Sequence, residues 1–290
     1  MEYVIENEII KLTVSSFGAE MQSIIKDGVE YLWQGDSTYW GERAINLFPY
    51  CGRHFQGKYT YNGKEYEMKI HGLVKYHECN LVFKDNNKLV FSFKDNEETL
   101  KFYPFKFELL ITYEIENDCI KITYQVINND EKKMYFALGA HPGFNIPLND
   151  SLSFEDYYIE FENKCNPKKI KYSDNGLIVD GYDDNLLEDN QRLELKHNLF
   201  DRDIVDYINA DKKLTIKTDK DKRSITVSYP NMRYVGFWHK PYSDAPYVCV
   251  EPWTSLPSTE GEIEEMINKK DFETLRPNET YTNVITINLN

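Results

Sequence analysis

Two histidines, a glutamate, an arginine and an aspartate stand out in this chain, because the segment around each is suited to presenting a polar group. Tyr135–Pro147 reads YFALGAHPGFNIP. Its apolar run predicts a buried strand that breaks at Gly139-Ala140-His141-Pro142-Gly143, since glycine admits unusual backbone angles and proline fixes one angle and removes a donor. His141 is then an imidazole offered from a turn, and imidazole gives or takes a proton near neutral pH. A turn histidine bonded to its own backbone would look the same in this stretch alone. His71, in Ile70-His71-Gly72-Leu73, repeats the pattern of a histidine after a strand-like run and before glycine. Near the other end, Tyr247-Val248-Cys249-Val250 runs straight into Glu251-Pro252-Trp253. A carboxylate at the end of a buried strand is costly unless it has partners or its pKa rises. That is the position wanted for a general base, although backbone N–H groups could also satisfy it.

Two further residues fit an oxygen-rich ligand. Arg53 closes the loop Asn46–Arg53, NLFPYCGR, shaped by Pro49 and Gly52, and its guanidinium presents a rigid fork of donors; a surface salt bridge is the commoner fate of an arginine. Asp203, in NLFDRD before Ile204-Val205, either faces a cleft or belongs to a solvated acidic loop. A metal site built from His71, His141 and Glu251 would lack a short-spaced pair such as HxH or HExxH, so no metal is expected.

The elements that must position these groups read as strands. Asp27-Gly28 and Asn62-Gly63 between alternating apolar runs are hairpin signals. LVFKDNNKLVFSFKD, FELLITYEIENDCIKITYQVINND and LTIKTDKDKRSITVSY are further hairpins, turning at polar residues, and YTNVITINL closes the chain as an alternating strand. Pro104 places residues 97–107 in a linker or edge. Residues 149–200 look polar and irregular, with several short runs such as DYYIEFEN, and Glu262–Lys269 suggests a short helix. With well over a dozen strand candidates and almost no helical periodicity, the expectation is all-β: a large antiparallel β-sandwich with few short helices. No Gly-, Ser- or Pro-rich linker divides residues 1–290, so one domain is expected.

Composition narrows the partners. The net charge of -14 disfavours nucleic acid and acidic membrane surfaces. Tyr 22 and Phe 16 favour pleated, half-buried surfaces, and tyrosine and tryptophan also suit sugar clefts. Five cysteines without a CxxC pair argue against a disulfide framework or zinc ribbon and fit a reducing compartment. Neither a signal peptide nor a bilayer-spanning run is apparent. A cytoplasmic protein is the resulting expectation.

Together NLFPYCGR, Ile70-His71-Gly72, Tyr103-Pro104-Phe105, AHPGFNIP and VCVEPW resemble, in order and spacing, the aldose 1-epimerase (galactose mutarotase) superfamily, and in particular its LacX-type branch. The similarity covers nearly the whole chain. It implies a galactose mutarotase-like supersandwich, a cleft on one sheet, and cofactor-free interconversion of the α and β anomers of a free aldose, by a monomer or homodimer. By the same resemblance Glu251 is the base and His141 the acid, on opposite sides of the sugar. Arg53 and His71 bind and polarise its oxygens, and Asp203 is the hydroxyl-binding aspartate. On this view burial raises Glu251 from about 4.3 toward neutrality, while His141, starting near about 6.5, serves as acid at cellular pH. Phe48, Gly143 and Leu73 depart from the better-known mutarotase pattern, which leaves the sugar and its phosphorylation open. Trp253 and Trp238 offer an apolar platform for a sugar face. Two rivals stay in view: a non-catalytic carbohydrate-binding protein, and a glycoside hydrolase using Glu251 with Asp203, which would leave both histidines unexplained.

Overall fold

Strict alternation of apolar and polar residues becomes one-sided burial. In the computed structural model, which describes residues 1–290, Cys119–Asn128 buries every second residue. It pairs along its length with Phe107–Glu116 from Glu116↔Cys119 to Phe107↔Asn128, so the Glu116–Asp118 turn falls where the sequence puts it. The Asp27-Gly28, Asn62-Gly63, Lys84–Lys88 and Asp219–Lys222 hairpins also form.

Two large antiparallel sheets carry the fold. The nine-stranded sheet runs Arg192–Glu194, Tyr158–Phe161, Lys213–Thr218, Asp221–Ser228, Thr280–Leu289, Cys119–Asn128, Phe107–Glu116, Lys88–Lys94, Asn80–Lys84. The seven-stranded sheet runs Ile178–Asp183, Lys168–Tyr172, Val205–Ile208, Tyr234–Trp238, Tyr247–Trp253, Gly139–Asn145, Ala44–Leu47. A core of 74 buried residues draws on both. Asn46, on the seven-stranded sheet, accepts a hydrogen bond from Tyr124 Oη at 2.7 Å on the nine-stranded one, tying the two together through a buried polar contact. Helix is confined to Thr99–Phe102 and a few 3-10 turns, and no helix is long and apolar enough to cross a membrane. All five cysteines are free.

Two expectations need correction and one needs refining. Residues 149–200, irregular for much of their length, carry in their short runs the strands Tyr158–Phe161, within DYYIEFEN, Lys168–Tyr172, Ile178–Asp183 and Arg192–Glu194. These strands are short, and Ile178–Asp183 lies at a sheet edge, where polar residues replace the apolar face that makes a strand legible. Glu262–Lys269 contains only the 3-10 turn Met266–Asn268. His141 does not sit in a turn after a strand. The strand before it is only Met134–Phe136, and a new strand, Gly139–Asn145, runs straight through His141 and Pro142. Its ladder to Tyr247–Trp253 is registered at Gly139↔Trp253 and Gly143↔Cys249 but not between them. Pro142 and Pro252 lie in that gap, where neither has an N–H to contribute.

Candidate active site

The sheet register builds the site. Counting inward from Gly139↔Trp253 and Gly143↔Cys249, His141 falls opposite Glu251. Beyond Glu251 the row continues to Gly236 and Asp206, and beyond His141 to Ile45. Directly opposed residues share a face. Residues Val248, Val250, Val235, Phe237, Val205 and Tyr207 occupy the other face and join the main core. The chemistry-bearing row therefore lies on the outer face, where loops wall it in.

All five residues singled out from the sequence, Arg53, His71, His141, Asp203 and Glu251, line one cavity of about 290 Å³, with Trp238 and Trp253. His141 Nε2 is 3.1 Å from Glu251 Oε2. They are neighbours in contact, rather than groups spaced to flank a sugar from opposite sides. That contact suits ring opening, because the hydroxyl oxygen that loses a proton and the ring oxygen that gains one are bonded to the same carbon.

Each side chain is fixed by local structure. His71 has φ +64° and Gly72 +82°; a Cβ at Gly72 would strike the Phe48 carbonyl, so only glycine lets this turn close against the Phe48–Pro49 loop. The Gly52 N–H donates to His71 Nδ1 at 3.1 Å. That bond requires Nδ1 to be an acceptor, so a neutral His71 carries its proton on Nε2. Trp40 stacks on His141 with ring centroids 4.8 Å apart, and Trp238 meets it edge-on at 5.8 Å. A side chain at Gly143 would begin 3.1 Å from the Trp40 ring. Gly143 thus leaves the room in which Trp40 packs closely over the strand. Trp238 is oriented by its Nε1–H, which donates to Asp203 Oδ1 at 2.9 Å. The other Asp203 oxygen and Arg53 Nε lie 3.1 and 3.4 Å from where a Gly176 side chain would start, so that glycine keeps the mouth between them open.

Sequence reasoning missed four contributors. Trp40 is brought in by a loop. Lys75, buried on the cavity wall, pairs with Glu42 at 2.8 Å. Tyr172 donates to Asp206 Oδ2 at 2.7 Å. Asp206 is fully buried within VDYI. A lone aspartate in an apolar strand run is a readable signal, and it was passed over.

Burial dominates the electrostatics. Glu251 is pushed well above the ordinary carboxyl range by desolvation, then by the charges of Asp206 and Asp203. Asp206 is raised to about 7 by desolvation, against the hydrogen bonds from Tyr172 and the Tyr207 backbone. His141 is lowered to about 3 by burial and then by Lys75, and His71 is lowered well below its usual value by burial and then by His141. Burial thus favours the neutral form of both rings in the empty cavity. A neutral ring still donates through one N–H. For metal binding, His141, Cys249 and Glu251 bring ligand-type atoms within 4.8 Å of one another. Cys249 does not line the cavity, and His71 is outside that group.

The fold is an antiparallel supersandwich with a walled carboxyl–imidazole pair on one sheet, and comparison with known proteins gives its class. The aldose 1-epimerase family model matches residues 1–288, and the chain belongs to that family. It is 31% identical over 278 residues to the plasmid and chromosomal LacX proteins of Lactococcus lactis subsp. lactis, covering 91% of this chain and 92% of each. Its structure matches a galactose mutarotase related enzyme from Lactobacillus acidophilus (TM-score 0.95, 30% identity, 100% of this chain and 97% of the other). A galactose mutarotase-like protein from Lactobacillus casei ATCC 334 matches equally well (TM-score 0.95, 32% identity, 100% of both chains).

Proposed function

We propose that this protein is an aldose 1-epimerase acting on a free aldose, with Glu251 as base and His141 as acid. The observation that carries it is the 3.1 Å contact between Glu251 and His141 on the floor of a cavity also lined by Arg53, His71 and Asp203. Family membership supports the same chemistry.

The reaction runs as a balanced proton exchange. Glu251 takes the proton of the anomeric hydroxyl, that O–H pair becomes the carbonyl bond, and the bond from C1 to the ring oxygen breaks. The leaving ring oxygen takes a proton from His141 Nε2. The aldehyde rotates about C1–C2, and the steps reverse on its other face, returning each proton to its source. His71 Nε2–H and the Arg53 guanidinium donate to sugar oxygens, and Asp203 accepts from sugar hydroxyls. The indoles of Trp238 and Trp253 on the cavity wall, with Trp40 beside them, offer apolar surface to the ring. Positioned acid and base each supply roughly 10²–10⁴-fold.

The test compares rate with binding. Polarimetry on freshly dissolved single anomers of glucose and galactose should show acceleration by the wild-type protein. Glu251→Gln should lose that acceleration while calorimetry still detects sugar. Binding by wild type without any acceleration would make the protein a carbohydrate-binding one.

A further inference from the structure

We propose that Asp206 is a positioning residue: it carries a proton on Oδ1, directed at Glu251 Oε1, and so keeps Glu251 available as an ionised base. The inference rests on Glu251 being the base, but the location of the proton can be measured without turnover.

The geometry starts from Gly236, which lies between Asp206 and Glu251 in the cross-strand row. A Cβ at Gly236 would collide with Ile204 and lie 3.3 Å from Asp206 Oδ1. Asp206 Oδ1 thus occupies the space above Gly236, on the face and in the row that carry Glu251. One oxygen of each carboxyl is engaged: Tyr172 Oη donates to Asp206 Oδ2 at 2.7 Å, and His141 Nε2 lies 3.1 Å from Glu251 Oε2. The remaining two, Asp206 Oδ1 and Glu251 Oε1, are buried and have no partner.

Two orphan acceptors on buried carboxyls that share one cross-strand row are costly as two anions, because like charges in a dry site repel and neither is solvated. A single proton between them turns one orphan into a donor and the other into its acceptor. Exposure to the cavity decides which residue holds it. Glu251 lines the cavity, where water or a sugar hydroxyl can solvate a charge; Asp206 is fully buried and does not. The proton therefore rests on Asp206. It stays there while Glu251 takes and returns the anomeric proton, so the cycle has no net proton change.

Other titratable groups do not replace this arrangement. Glu251 is neighboured by His141, Cys249, Tyr247, Tyr172 and Asp203, and Asp206 by Tyr172, Tyr234 and Cys51. Of the cations on the cavity wall, Lys75 is committed to Glu42, and Arg53 lies at the mouth beside Asp203. Burial raises the proton affinity of both carboxyls, Asp206 to about 7 and Glu251 well above the ordinary range, so the row holds at least one proton at and below neutral pH.

Infrared difference spectra of the sugar-free protein at pH 6 locate the proton directly. A protonated-carboxyl C=O band should be present in wild type and in Glu251→Gln and disappear in Asp206→Asn. A band that survives Asp206→Asn and vanishes in Glu251→Gln, or no such band in wild type, overturns the proposal. A second readout uses turnover. In Asp206→Leu the acid limb of the kcat profile should move up by about one pH unit, a tenfold loss of rate on that limb. Asp206→Asn, whose amide donates the same hydrogen bond, should restore the limb. A downward shift in Asp206→Leu would mean that Asp206 is an anion repelling Glu251, and would end the idea. If wild type proves inactive on sugars, the infrared result still decides where the proton lies.

Discussion

The pH dependence of the catalysed rate follows from the burial of Glu251 and His141. Glu251 must be ionised to act, and desolvation raises its pKa above the ordinary value of about 4.3. The rate should therefore fall as pH drops through that raised value, tenfold for each unit below the midpoint. His141 sits at about 3 when the cavity is empty. It donates as a neutral ring, so it adds no second limb near pH 6.5. The expected profile of kcat/KM is one acid limb whose midpoint lies well above about 4.3, with a plateau on its alkaline side. Polarimetry with the spontaneous rate subtracted measures it, and circular dichroism at each pH checks that the chain stays folded. A bell whose rate declines above a midpoint near about 6.5, or an acid midpoint at or below about 4.3, would refute the reasoning: the first would make His141 a charged acid, the second would mean that burial does not govern Glu251.

Three further outcomes are expected. Because the folded-state pKa of Glu251 is raised, its contribution to stability is present at low pH and is lost as pH rises through that value; Glu251→Gln should therefore gain Tm over wild type at pH 8 and gain less at pH 5, by thermal denaturation. His71→Ala removes a donor from the cavity wall and orphans the Gly52 N–H, so kcat/KM should drop about tenfold, near the ~1.4 kcal/mol of one buried hydrogen bond, with a smaller loss in urea midpoint. Gly72→Ala forces a Cβ into the Phe48 carbonyl at φ +82° and should cost at least ~2 kcal/mol in urea denaturation; an unchanged midpoint would mean the turn relaxes freely.

Much of this was legible along the chain, for identifiable reasons. Glu251 stood out because four apolar or aromatic residues lead into it, and the strand is indeed buried throughout. His71 was legible in place as well as type, since His-Gly marks a left-handed turn and the backbone adopts one. His141 was legible in type alone: Gly-Ala-His-Pro-Gly argues locally for a turn, but the Ala44–Leu47 strand holds it extended, and only the ladder to Tyr247–Trp253 skips Pro142 and Pro252. Trp40, Lys75 and Tyr172 reach the cavity only through long-range packing, which periodicity does not encode. Asp206 was available to a closer look, as a charged residue at an alternate position of an apolar strand; its importance depends on register, because only the pairing through Gly236 sets it beside Glu251.

Exchange between the anomeric protons of α and β sugar, followed by NMR magnetisation transfer, tests the central claim most directly. Wild type should speed the exchange, and Glu251→Gln and His141→Ala should each remove about 10² or more of that acceleration, with the double variant little worse than either single one, as expected of two groups acting as a unit. Exchange that wild type does not accelerate, or that survives both substitutions intact, would contradict it.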